Sequence, residues 1–124
     1  MTAAYGAAQA YKRQAVLTAS KEKLIVLLYD AAIGELEKAT NQLSDRKMIG
    51  PVGESLGKAF SIVSELKSSL NHEDGQEIAT NLDQLYIFVQ NCITRANQAR
   101  IEEPLTQAIK VLRDLKEGWD GILA

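Results

Sequence analysis

Apolar residues recur along most of this chain in alternating steps of four and three, the repeat of a helix face packed inside a bundle. The clearest run is Val52, Leu56, Ala59, Val63, Leu66 and Leu70. A second is Ile78, Leu82, Leu85, Val89, Cys92, Ala96 and Ala99, and a third is Leu105, Ala108, Leu112, Leu115, Trp119 and Ile122. Nearer the start, Ile25, Leu28, Ala32, Leu36, Ala39 and Leu43 keep the same spacing, and Leu24, Tyr29 and Ile33 widen that stripe. No stretch shows the two-residue alternation of a half-buried strand. Such stripes bury one another when the helices lie side by side. The expected fold is all-α: an antiparallel up-down four-helix bundle with a short extra N-terminal helix or cap.

Helix signals divide the chain. Thr18 or Ser20 can cap a first helix over residues 20–43, with Glu22 at its positive end. Residues 44–50 read as a polar loop closed by Gly50-Pro51, and a second helix opens near Pro51. Residues 71–75 read as a turn, residues 76–99 as a third helix, and a fourth helix follows Glu102-Glu103-Pro104. Residues 1–17 carry Tyr5, Tyr11, Val16 and Leu17, too few apolar groups for a stable isolated helix. They are expected to form a mobile N-terminal cap on a bundle of residues 18–124. With no internal repeat and no linker, residues 1–124 read as one domain.

Several functional classes fall away. A net charge of −2 on 124 residues gives no basic surface for nucleic acid. The apolar run from Leu24 to Tyr29 stops at Asp30, far short of the roughly 20 residues of a membrane span, so no membrane insertion is expected. The N-terminus lacks a secretory pattern, and the single Cys92 cannot make an internal disulfide, so a cytoplasmic location fits. The single histidine, His72, sits in the turn 71–75 and reads as a solvated turn residue; one histidine cannot furnish a di-metal bundle. Gly57-Lys58 lacks the other residues of a phosphate loop: Val52 and Ala59 stand where glycine and a hydroxyl residue are needed. Cys92 lies on a seam and reads as core. Glu73-Asp74 and Glu102-Glu103 read as charges placed at helix N-termini. The chain is expected to be no enzyme, with no catalytic residues, no cofactor and no metal.

What remains is a surplus of apolar surface. On a helix, the run Leu24 to Tyr29 covers more than one face, and Leu85 to Val89 repeats the excess. Either the core is thick and the rest is covered by the N-terminal element or by a homodimer partner, or the excess forms a groove for another protein's amphipathic helices. The residues leave both open.

The pattern around these patches resembles a known family. Tyr11, then Thr18-Ala19-Ser20-x-x-Lys23-Leu24-Ile25-x-x-Leu28-Tyr29-Asp30-x-Ala32-Ile33, is similar to the signature of the flagellin-specific export chaperones, the FliS family. The likeness continues through Lys58-Ala59, Glu65-Leu66, Leu70-Asn71, Gly75-x-Glu77-Ile78-Ala79-x-Asn81-Leu82-x-x-Leu85-Tyr86, Ala96-Asn97 and Leu112-x-x-Leu115-x-x-x-Trp119. Three positions depart. Lys21 replaces a frequent proline, Ala31 a frequent glycine, and Gln76 a second common glycine.

The resemblance implies a cytosolic chaperone without enzymatic activity. It would bind the disordered C-terminal segment of flagellin, prevent premature polymerisation and assist delivery to the flagellar type III export gate, with other flagellar proteins as further contacts. Burying the amphipathic face that flagellin uses in the filament would block assembly directly. On the matched positions, Leu24, Leu28, Tyr29 and Ile33 are expected to line one side of the site, and Leu82, Leu85, Tyr86 and Val89 the other. Asn81 and Asn97 would hydrogen-bond client backbone, and Arg95 would pair with client carboxylates. Tyr5, Tyr11 and Leu17 would form a removable cover. Tyr29 and Tyr86 are expected near the surface, and Tyr86→Ala to weaken binding without unfolding the protein. The alternative is a dimeric helical adaptor or regulatory module with no flagellin client.

Overall fold

The computed structural model describes residues 21–123. They form four long helices: α1 (Lys21–Gln42), α2 (Ile49–Ser68), α3 (His72–Ala99) and α4 (Glu103–Leu123). Neighbours pack in a ring, α1 on α2, α2 on α3, α3 on α4 and α4 back on α1, as an up-down bundle requires. The seams meet at the centre: Leu36, Leu56, Val63, Leu66, Val89, Leu105 and Leu112 are fully buried. The small seam residues Ala39, Ala59, Ala96 and Ala108 are buried with them, so the helices approach closely. Among the described residues, no helix is long and apolar enough to cross a membrane. The expected cap, with Tyr5, Tyr11 and Leu17, lies outside the described residues.

The connections differ in detail from expectation. The loop 44–50 holds a single 3-10 turn, Arg46–Met48, capped by the Asp45 carboxylate accepting from the Lys47 N–H (2.9 Å). Helix α2 begins at Ile49, so Gly50 and Pro51 belong to its first turn rather than breaking the chain. Proline is tolerated there because first-turn N–H groups have no partner within the helix. Pro104 likewise lies in the first turn of α4 and is fully buried. At this end of the bundle Arg100 takes left-handed backbone angles (φ 52, ψ 48) just past α3, and its guanidinium donates to the Leu43 carbonyl (3.2 Å). That bond ties the α1–α2 loop to the α3–α4 loop.

The opposite end departs most from the sequence pattern. Residues 71–75 were expected as a turn, yet His72 to Gly75 make one helical turn of α3. Asn71 caps it, its Oδ1 accepting from the Asp74 N–H (3.1 Å). The break comes at Gln76, with φ 45 and ψ −117 inside α3. These angles match the first central position of a type II′ turn, where glycine dominates. An L-residue held there carries about 1–3 kcal/mol of strain.

The kink folds the first turn tightly onto the rest of α3. A Cβ built on Gly75 would lie 2.9 Å from the Ala79 Cβ. Gly75→Ala is therefore expected to destabilise the protein by about 1–2 kcal/mol, the overpacking outweighing the gain in helix propensity. A denaturant midpoint at or above wild type would contradict this packing.

Candidate functional site

The first residues of α1, the α2–α3 turn, the start of α3 and the end of α4 meet at one end of the bundle. Among them lies a cavity of ≈ 250 Å³. Ile25, Leu70, Ile78, Ala79, Leu82 and Trp119 give it apolar walls, while Lys21, Glu22, Ser69 and Asn71 form polar parts of its lining. Tyr86 also lines it and is only 2% exposed. Two other hollows have different chemistry. The one outside α1 and α2 (≈ 550 Å³) is lined by Gly34, Gly57, Lys58, Ser61 and Glu35, with only Ala31 and Ile62 as apolar side chains. The one between α1 and α4 (≈ 420 Å³) is walled by Glu37, Lys110, Arg113 and Asp114, which includes the Arg113–Glu37 ion pair (2.6 Å). Of these three hollows among the described residues, the end cavity alone has several large apolar walls.

Beneath that cavity the two expected patches touch. Tyr29 of α1 and Tyr86 of α3 share a hydrogen bond through their hydroxyls, and their rings sit 6.3 Å apart at 46°. The Trp119 side chain of α4 lies beside Tyr29 as well. Burial pushes both phenols above the usual tyrosine range, Tyr86 far above it; for Tyr29 the neighbouring Tyr86 and Trp119 side chains pull the other way. The structure thus corrects the expectation that these tyrosines are near the surface: Tyr29 is 0% exposed. A buried hydroxyl is tolerated when it has a partner, and here each supplies the other's. Ile33 and Val89 are likewise in the core, while Leu24, Leu28 and Leu82 are half-buried.

Large apolar side chains are exposed on α3 (Ile78, Leu85, Ile87 and Phe88) and also at Met48, Ile49, Phe60 and Ile101. Ile78, Asn81, Leu85, Phe88, Cys92 and Arg95 step by three and four and therefore share one stripe of the helix. Ile78 is 70% exposed, Leu85 37% and Phe88 40%; Asn81 and Arg95 are exposed too. Cys92 is where the stripe dips into the core. Burial pushes its thiol up, against a lowering pull from Arg95. The other flank of α3 faces α2. There Lys67 pairs with Asp83 (4.0 Å), and Gln90 donates to the Phe60 carbonyl (3.2 Å) and the Ser64 hydroxyl (2.8 Å). Asn97 is exposed but lies seven residues beyond Gln90, on that second flank, about 160° round the helix from Asn81. The two asparagines do not share a face.

Sequence reasoning missed Ile78 and Phe88 as exposed, and Ile25 and Trp119 as cavity walls. Ile78 sits on a seam, but the Gln76 break brings the helix end so close that the seam has no neighbour to cover it. Phe88 was visible as an apolar residue beside a seam, a position that a partner helix covers only in part.

His72 is exposed in the capped first turn of α3. Among the described residues, no three His, Cys, Asp or Glu side chains converge as a metal site would require.

Comparison with known proteins agrees with this architecture. The family model described as flagellar protein FliS matches residues 3–124. The flagellar secretion chaperone FliS of Vibrio cholerae is 40% identical over 122 residues, covering 94% of this chain and 88% of that protein. The flagellar secretion chaperone FliS of Salmonella typhimurium is 34% identical over 116 residues, covering 93% and 85%. A crystal structure of a flagellar chaperone from bacteria matches with a TM-score of 0.77 at 27% identity, over 93% of this chain and 95% of that one. With the four-helix ring and a family match over nearly its whole length, the chain belongs to the FliS family.

Proposed function

We propose that this protein is a flagellar secretion chaperone that binds the C-terminal segment of flagellin in the cytoplasm. It keeps flagellin from polymerising early and helps present it to the flagellar export gate. The observation that carries this reading is the apolar stripe Ile78, Leu85 and Phe88, exposed along α3 and beginning at the end cavity that Ile78 helps to line. An amphipathic client helix presents anchors at the same three- and four-residue spacing. Leu24, Leu28 and Leu82, half-buried near that end, extend the apolar contact. Tyr29, Ile33, Tyr86 and Val89 act from below, by fixing α1 against α3.

Asn81 and Arg95 flank the stripe with a hydrogen-bonding amide and a cation for the client's polar groups. Asn97 would be reached only by a client that wraps round α3. A disordered client pays ordering entropy when it binds, so a long wrapped contact suits it better than one compact patch. The segment with Tyr5, Tyr11 and Leu17 precedes Lys21, which itself lines the cavity, so it is attached where a removable cover would be needed. None of this calls for catalysis or a cofactor.

The test is calorimetric titration of the full chain with cognate flagellin, intact and lacking its C-terminal segment, with light scattering on the same samples. Intact flagellin should form a defined complex and the truncated form none. Equal binding of both would refute the proposed client. A homodimer that persists unchanged beside flagellin would favour the adaptor reading.

A further inference from the structure

We propose that Gln76 is a strained hinge, and that filling the end cavity releases its strain, so the first turn of α3 works as a spring-loaded wall of the client site. The inference rests on the reading of that end as the place where the flagellin segment anchors.

Gln76 is held at φ 45 and ψ −117 between two helical stretches. Such a backbone persists only when its surroundings over-determine it. Two sets of contacts do so here. On one side the turn is closed upon itself: Asn71 accepts from the Asp74 N–H and donates through Nδ2 to its carboxylate (2.9 Å), while the Gly75 N–H bonds the Asn71 carbonyl (2.8 Å). On the other side, Gly75 lies so near the buried Ala79 that a Cβ built on it would sit 2.9 Å from the Ala79 Cβ, and the Thr80 hydroxyl donates to the Gln76 carbonyl (3.2 Å).

The same residues are walls. Asn71 and Gly75 line the cavity before the hinge, and Ile78, Ala79 and Leu82 after it; Ile25 of α1 stands across. A client side chain entering between Ile25 and Gly75 wedges the turn away from α1. The close approach of Gly75 to Ala79 that goes with the kinked backbone then opens, and Gln76 can relax. Free energy stored in the empty protein is thereby returned on binding and strengthens it.

Glycine removes the strain from the empty state and leaves nothing to return. Gln76→Gly should raise the melting temperature of the free protein by several degrees, and should weaken binding of a peptide with the C-terminal sequence of cognate flagellin by about five-fold or more. Gln76→Ala keeps a Cβ at the same backbone angles and should match wild type in both measurements. A more stable Gln76→Gly protein with unchanged affinity overturns the hinge while leaving the chaperone reading intact. An unchanged melting temperature overturns the strain. Equal loss of affinity in the alanine and glycine variants would mean that the Gln76 side chain touches the client, and also overturns it. Failure of wild type to bind the peptide overturns the client reading and the hinge together.

Discussion

Tyr86→Ala is expected to destabilise the protein by about 3–5 kcal/mol, lowering its melting temperature by roughly 10–20 °C. The ring is 2% exposed and packs against Tyr29, so its removal leaves a void beneath the end cavity and takes away the Tyr29 hydroxyl's hydrogen-bond partner. Against a typical stability of about 5–15 kcal/mol, that is a large fraction. The sequence alone suggests weaker binding without unfolding; the burial of the ring adds a large cost in stability. Tyr86→Phe keeps the ring and should cost only about 1–2 kcal/mol, from one lost buried hydrogen bond. Chemical denaturation of the two variants checks the difference; a Tyr86→Ala protein as stable as wild type would mean the ring does not bridge α1 and α3.

The double variant Leu85→Asp with Phe88→Asp is expected to do the opposite. Both side chains are more than a third exposed, so the fold should lose little and the melting temperature should stay within a few degrees of wild type. Binding of the flagellin C-terminal segment should fall by roughly 100-fold or more, because two carboxylates would be desolvated where apolar anchors sat. Titration calorimetry beside a thermal melt separates the two effects. Affinity within a factor of a few of wild type would remove this stripe from the site.

The contrast between these variants shows what a single sequence makes legible. The seams through Leu56, Val63, Val89 and Leu112 placed the helices, because burying a stripe is the only way such spacing can be satisfied. Helix boundaries were read to within a few residues. The burial of the tyrosines was not legible: it depends on a hydroxyl partner 57 residues away, and no local pattern records that pairing. Nor does helix propensity reveal the break at Gln76, since glutamine is a good helix former. The only hint was the resemblance, in which a glycine is common at that position. The positive φ gives that glycine its physical meaning. The exposed stripe was half legible. Leu85 was named as a site residue, but the exposure of Ile78 and Phe88 emerges only once the ring of helices fixes which flank of α3 meets α2.

The Arg100–Leu43 bond makes the two ends of the molecule mechanically unequal. The end with the two short loops is pinned, while the far end carries the kinked turn and the cavity. From Ala99 back to Gln76, α3 is a lever about 35 Å long, so a tilt of only about 5° at the pinned end shifts the cavity rim by about 3 Å. Small movements of α3 about that tie are thus magnified at the cavity.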